Sequence, residues 1–371
     1  TNMNYQDRLY QQKEKALYRS LSLSDPSLVD LQSNDYLGYA RLMEVGKIAA
    51  HLTIKGATGS RLISGNNTQH ETTEKLLSQY FNAKGALLFS SGYQANIGVL
   101  SCIAHRGDVF IYDEYIHASM HDGMRLSHAE RHSFRHNDLN DLEEKLKKHS
   151  GSGRIIVAVE SLYSMTGTVI DIDELLVLNA KYDFTLVLDE AHAVGVSGRD
   201  YKGVGYEKAH EFQNLIRIIT FGKAFGYAGA AVLATELIRE YLINFSRPFI
   251  YTTAIPINDA ATISQLIDYH SNNHKPNEEL DKLIKYYLSQ VTSFNSNLTI
   301  TSNQGPVQFL TIGDAPTTIG LEKNLLFKGL QVKAIRPPTV PAGHAGLRIS
   351  LHSYNTSEEF DILFKTLNNV S

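Results

Sequence analysis

The chain is poor in the residues that build scaffolds other than a plain hydrophobic core. Of its 371 residues one is cysteine, Cys102, none is tryptophan and nine are proline. A lone thiol cannot close an intramolecular disulfide and leaves no ligand set for a cysteine-based zinc centre. That scarcity fits a reducing compartment, and a cytoplasmic protein is expected. Neither sign of charge dominates: 35 Lys and Arg against 39 Asp and Glu give a net charge of −4. No long basic run occurs, so neither nucleic acid nor a membrane surface is expected as a partner. Long apolar runs are missing too. The richest, Ala86 to Ala104, is broken by Ser90, Ser91, Gln94 and Asn96 and is too polar to cross a bilayer. The first residues lack the basic-then-apolar layout of a signal peptide.

What is present is ordinary globular composition, 43% apolar and 20% charged, in a chain long enough for more than one core. Three regions are expected: an N-terminal segment over 1–50, a large domain over 51–255, and linking helices with a small C-terminal domain over 256–371. A polar helix is predicted from Tyr5 to Tyr18. Thr68 and Glu71 have capping-box spacing before the apolar stripe of Leu76, Leu77, Tyr80 and Phe81. Strands and helices then alternate. Ala86–Phe89, Val109–Tyr112, Ile155–Val159, Thr185–Leu188, Leu215–Phe221 and Ala230–Ala234 are short apolar runs, with helical periodicity at Leu139, Leu142, Leu146 and at Ile172, Leu175, Leu176. Continuous apolar strands separated by amphipathic helices predict an α/β fold with a mostly parallel sheet covered on both faces. After Pro256 the pattern turns helical to about Asn295, with a polar break from Asn272 to Pro276. Shorter α/β pieces follow, ending in a helix capped by Thr356 and Glu359.

Ligands of a parallel sheet sit beyond the carboxyl ends of its strands. There the sequence offers Gly92-Tyr93, Glu160 to Ser164, Asp189 with His192, and Thr220 with Lys223. Asp189 alone reads equally as a turn or cap residue, His192 as a satisfied polar group and Lys223 as solvated surface. Lys223, however, follows an apolar strand among Gly222, Ala224, Gly226 and Gly229, a setting that depresses a lysine pKa and makes it a covalent amine. An acid, a histidine and such a lysine at successive strand ends suggest pyridoxal phosphate, which needs an amine for its aldehyde and an acidic partner for its ring nitrogen.

The motifs Ser33-Asn34-Asp35-Tyr36-Leu37-Gly38, Gly59-Ser60-Arg61, Ser91-Gly92-Tyr93, Ile116-His117-Ala118-Ser119, Tyr163-Ser164-Met165-Thr166-Gly167, Asp189-Glu190-Ala191-His192 and Thr220 to Gly226 run almost end to end. Together they resemble the α-oxoamine synthase family of fold-type I pyridoxal-phosphate enzymes. The resemblance implies a fold-type I transferase: a mostly parallel central sheet wrapped by helices, with a smaller C-terminal α/β domain. It implies that Lys223 bonds to the cofactor aldehyde, Asp189 pairs with the pyridinium nitrogen, His192 meets the phenolic oxygen and His117 stacks on the ring. At an effective dielectric of about 20, an ion pair at about 4 Å is worth ~4 kcal/mol, enough to keep that nitrogen protonated. The amides of Gly92 and Tyr93 suit the phosphate, and Glu160, Ser164 and Thr220 complete the cofactor site. Thr252 and Thr253 match the stretch that reaches a neighbouring subunit's phosphate, so a homodimer with shared active sites is implied. Arg348 would clamp the amino-acid carboxylate, with Asn34, Thr339 and, as a looser match, Arg19 on the substrate side.

The implied reaction is a decarboxylative condensation of an amino acid with an acyl thioester on coenzyme A or an acyl-carrier protein, with Lys223, His117, His192 and Asp189 as its catalytic groups. Ala334-Ile335-Arg336-Pro337-Pro338-Thr339-Val340-Pro341 resembles the branch that joins L-alanine to a pimeloyl thioester in biotin synthesis. Gly59-Ser60-Arg61 and Ser246-Arg247-Pro248 resemble the glycine-acetylating branch at least as well, and the segment before Asn34 is shorter than in relatives. Two other classes stay open. Four-residue spacings in His117 and His121, and in His128, His132 and His136, could ligate a metal if helical, though no Glu completes a hydrolase motif and Ser133-Phe134-Arg135 reads as a strand. A binding protein that keeps the fold without turnover is the other.

Overall fold

The computed structural model describes the chain except for residues 1–4, 16–17, 19–24, 43, 50–55, 152, 294–298, 302, 338 and 369–371. Helix α1 (Tyr5–Glu14) buries none of its side chains and is shorter than predicted. Strand β1 (Val29–Asp30), helix α2 (Glu44–Ala49), a π-type turn at Arg61–Gly65 and helix α3 (Thr68–Tyr80) follow. The start of α3 differs from expectation. Asn67 caps it by accepting from the Gln69 amide at 3.0 Å, and Glu71 accepts instead from Asn66 Nδ2 at 2.8 Å. An Asn one residue earlier already satisfies the orphan amides, so the Thr68–Glu71 box is not needed.

The alternating part then unfolds as the hydrophobic pattern dictates: β2 (Gly85–Phe89), α4 (Gly92–Leu100), β3 (Val109–Asp113), α5 (Ala118–Leu126), β4 (Glu130–Phe134), α6 (Leu139–Lys148), β5 (Ile155–Glu160), α7 (Ile172–Tyr182), β6 (Thr185–Asp189), β7 (Leu215–Thr220) and β8 (Ala230–Ala234). The seven strands lie in the order β2-β8-β7-β6-β5-β3-β4. Only β8 runs antiparallel to its neighbours. Every residue of β5 and β7 is buried, which is why Ile155–Val159 reads as an unbroken apolar run rather than an alternating one, while β7 carries the buried Arg217 in its middle.

Helices α8 (Glu236–Phe245), α9 (Arg247–Ile250), α10 (Ile257–Asn272) and α11 (Lys275–Ser293) lead to β9 (Thr299–Thr301), β10 (Val307–Gly313), α12 (Ala315–Phe327), β11 (Leu330–Gln331), β12 (Lys333–Ile335), β13 (Ala345–Ser350) and α13 (Ser357–Asn368). The polar break after Asn272 is narrower than predicted, because Pro276 sits in the first turn of α11, where its missing N–H costs nothing. At α13 the predicted box forms, the Thr356 amide donating to Glu359 Oε2 at 3.0 Å. Strands β12-β13-β10-β9 make an antiparallel second sheet, and β1 pairs with β11 so that the early chain joins the late. Leu31, Tyr36 and Leu37 share one buried cluster with Phe221, Phe225, Leu347 and Ile349. Among the described residues no helix is long and apolar enough to cross a membrane.

Two backbone-level features hold the strand ends of the central sheet. Gly226, at φ +59°, closes the turn after Lys223 with its amide on the Lys223 carbonyl at 2.8 Å, and a Cβ there would lie 2.5 Å from the Ala40 nitrogen. Glu190 is fully buried and accepts from Arg217 Nε and, at 2.9 Å, from the Gly205 amide. Arg217 also donates to the Lys202 carbonyl at 2.7 Å. Removing one partner of such a pair strands a buried charge. Arg217→Met should therefore destabilise the protein by about 3–5 kcal/mol, seen as a lowered urea midpoint, and Glu190→Gln with Arg217→Met should recover much of that loss.

Candidate functional site

A cavity of about 360 Å³ opens at the carboxyl ends of β2, β5, β6 and β7. Its first wall is the start of α4. Ser91 caps that helix through the Gln94 amide at 3.2 Å, leaving Gly92 and Tyr93 at the first positions, where amides have no intrahelical acceptor. Gly92 is required there, since a Cβ would fall 2.5 Å from Thr220 Cγ2. Tyr93 lines the cavity and donates its hydroxyl to Asp122. One helical turn on, buried Asn96 donates to Asp189 Oδ2 at 2.7 Å and to Ser119 Oγ at 3.0 Å, while its own Oδ1 has no partner.

Asp189 ends β6. Its Oδ1 accepts from the Ala191 amide at 2.9 Å, so both oxygens are held and the carboxylate is buried with no cation paired to it among the described residues. The turn reading and the functional reading thus coexist in one side chain. Glu160, opposite Asp189 in the β5–β6 register, accepts from the Ser164 amide at 3.2 Å but leaves Oε1 unpartnered. Burial and then the neighbouring Asp189 push its carboxyl up to about 8. Burial drives Lys223 below the usual lysine range, with Asp189 and Glu160 opposing. Burial also lowers His117, and with Lys223 it holds His192 well below the imidazole range. His117 caps α5 by accepting the Ser119 amide on Nδ1 at 3.2 Å, so its neutral ring carries the proton on Nε2. Thr220 donates to the Ala191 carbonyl at 3.4 Å.

Behind this cavity stands Arg348, projected from β13 of the second sheet. It donates to the Ser164 carbonyl at 2.7 Å, Ser350 Oγ at 2.8 Å and Asn34 Oδ1 at 2.8 Å, and has no carboxylate partner among the described residues. Tyr36, whose role sequence reasoning missed, bridges the two: its hydroxyl lies 3.4 Å from Arg348 Nη2 and 2.8 Å from His192 Nδ1. Asn96 and Ser119 were missed as well. Asn96 falls one turn after Gly92 in an apolar helix, a polar residue on a buried face, and that was its only signal.

The structure therefore gathers Asn34, Gly92, Tyr93, His117, Glu160, Asp189, His192, Thr220 and Lys223 around one cavity, with Ser164 and Arg348 next to it. Thr252 and Thr253 line a separate small pocket with Arg61 and Phe249, which meets the cavity only at Ser90. Thr339 is exposed and lines neither, and Arg19 lies outside the described residues. The spaced histidines are not gathered either. His121, on α5, packs edge-on against Tyr112, His128 is exposed in the bend before β4, and His136, beyond the end of β4 at Phe134, faces Asp113 at 3.0 Å and Thr168 at 2.7 Å, so no helix carries them on one face.

The family model for aminotransferase class I and II matches residues 26–367. The chain belongs to the aminotransferase class I and II family. Within it, "8-amino-7-oxononanoate synthase 2" of Bacillus subtilis is 34% identical over 380 residues, covering 98% of this chain and 96% of that one. A Sphingomonas wittichii serine palmitoyltransferase has a TM-score of 0.89 at 27% identity, covering 100% of this chain and 98% of that chain. An 8-amino-7-oxononanoate synthase structure from Francisella tularensis has a TM-score of 0.79 at 28% identity, covering 93% and 98%. The chain is a fold-type I, pyridoxal-phosphate-dependent acyltransferase of the α-oxoamine synthase kind. Its cavity fits that cofactor chemically: a buried amine of lowered basicity, an anchored carboxylate, a helix start for an anion, and buried oxygens on Asn96 and Glu160 still without partners.

Glu160 makes the cofactor-free protein's stability depend on pH. Unfolded, the carboxyl ionises near 4.5, whereas folded it keeps its proton to about 8. The folded state thus binds the extra proton between those values, and this contribution falls as pH rises through the window. Glu160→Gln should remove it: its urea midpoint relative to the wild type should climb from pH 5 to pH 8, and a pH-independent difference would count against the assignment.

Proposed function

We propose that the protein condenses L-alanine with a pimeloyl thioester, releasing carbon dioxide and the free thiol and yielding 8-amino-7-oxononanoate. What carries this reading is the unpaired Arg348 guanidinium, held beside the Lys223 and Asp189 cavity by Asn34, Tyr36 and Ser164. It is a preset receptor for a carboxylate. The names of the sequence relatives support the substrate assignment. Bound pyridoxal phosphate supplies an aldehyde for an amine and a protonated ring that withdraws electrons from the carbon beside it.

The chain's residues do the rest. Gly92 and Tyr93 hold the phosphate on the α4 amides, while Asp189, oriented by Asn96 and the Ala191 amide, keeps a proton on the ring nitrogen. Lys223 Nζ, its basicity reduced by burial, would hold the cofactor aldehyde and, as a neutral amine, would remove the α-proton and later return one. Arg348 binds the carboxylate of the amino acid. His192 positions the ring oxygen and is itself positioned by Tyr36. His117, which lines the cavity with its proton on Nε2, would face the cofactor ring and would donate to the acyl oxygen as charge develops there. Glu160, Ser164 and Thr220 complete the cofactor cradle, and Thr339 and Arg19 belong to the substrate side. Thr252 and Thr253 serve the neighbouring subunit of a homodimer, in keeping with their place outside their own chain's cavity. The acyl group arrives on coenzyme A or a carrier protein, and the enzyme works in the cytoplasm.

The cofactor-loaded protein should be yellow, and Lys223→Ala should lose the lysine-linked absorbance band that borohydride bleaches. Alanine should shift that band with saturation more readily than glycine or serine, and pimeloyl thioester should then release thiol. Arg348→Ala should weaken alanine binding about 10–100-fold, read from the same titration. Faster turnover of glycine with acetyl-CoA would overturn the substrate assignment and leave the acyltransferase class intact.

A further inference from the structure

We propose that Glu130, His132 and His149 form a binding site for one zinc-class divalent cation at the edge of the central sheet. The argument begins with strand periodicity. Strand β4 is the outermost of its sheet, paired only with β3. Side chains two apart on a strand share a face, so Glu130 and His132 project together. His149 arrives from another element, as the C-cap of α6, which packs beside β4.

The three groups converge. His132 Nε2 lies 3.3 Å from Glu130 Oε2, and the His132 and His149 rings face each other with centroids 4.3 Å apart and 31° between planes. One ligand atom from each residue lies within 4.8 Å of the other two. Around zinc, with bonds of about 2.0–2.2 Å, tetrahedral donors stand roughly 3.4 Å apart, so half-exposed side chains need move by only about 1 Å. Two imidazoles and a carboxylate select zinc and its late first-row neighbours over magnesium and calcium, which take oxygen ligands. Three protein ligands leave the remaining position to water.

The electrostatic surroundings permit a cation. The carbonyl end of α6 presents the negative pole of its dipole there. Of the nearby lysines, Lys145 is paired with Asp141 at 3.2 Å and Lys147 with Glu143 at 3.0 Å, while the charge of Lys148, next to His149, opposes a cation there and Glu130 offsets it. The site lies at the amino-terminal end of β4, whereas the cofactor cavity lies at the carboxyl ends of the strands. Its occupation clips the exposed edge strand to the end of α6 and leaves the catalytic groups untouched.

Zinc chloride titrated calorimetrically into the chelator-treated, cofactor-loaded protein should show one equivalent per chain at low-micromolar affinity. His132→Ala and His149→Ala should each weaken it about 10-fold or more, with unchanged acyltransferase turnover in metal-free buffer. Zinc should raise the thermal midpoint of the wild type but not of either variant. Copper bound to the wild type should show two nitrogen donors by electron paramagnetic resonance, a readout that needs no variant. Wild-type zinc binding no tighter than about 100 μM, equal binding by the double histidine variant, or copper held by oxygen alone would each overturn the proposal.

Discussion

The site depends on keeping one carboxylate immobile at the end of a buried strand. Asp189 is held at both oxygens, by Asn96 from α4 and by the amide of Ala191. Two neutral donors fix its direction, and no cation among the described residues is paired with it. The residue beside it faces away and solves a different problem. Glu190 is neutralised by Arg217 and ties β6 to β7 and to the loop at Gly205. Adjacent acids thus differ in their partners: Glu190 is ion-paired, whereas Asp189 is held by neutral donors at the cavity.

Around that carboxylate burial sets the direction of the protonation shifts. Burial raises Glu160 and lowers Lys223, His117 and His192. Each shift favours the neutral form, and together they leave few free charges in a low-dielectric space. A neutral lysine can act as nucleophile and base, and a neutral imidazole can donate without carrying a charge that competes with the ring nitrogen.

The second sheet contributes the opposite kind of group. Arg348 donates its hydrogen bonds to neutral acceptors, and through Tyr36 it reaches His192. Charge-assisted hydrogen bonds of this kind are worth about 1.5–3 kcal/mol each, and they join residues of the early chain, β13 and β6. The Arg348 guanidinium is therefore mechanically continuous with the cavity. Alanine and glycine differ by a single methyl group, a discrimination of about 1–3 kcal/mol, so the proposed preference for alanine would lie in the fine shape of the pocket rather than in a charged group.

The sequence by itself determined the alternation of buried strands and amphipathic helices, the reactive residues at strand ends and the capping box at Thr356, because these follow from periodicity and from side-chain chemistry within a few residues. It also carried the family resemblance, since motifs are local strings. It did not reveal that Asn67 outcompetes Thr68 as a cap, that Tyr36 bridges Arg348 and His192, or that Asn96 orients Asp189, because each depends on groups brought together from distant parts of the chain. Nor could it separate His132, which meets His149, from His136, which meets Asp113. Spacing determines which face of an element a side chain occupies, but only packing decides what lies opposite that face.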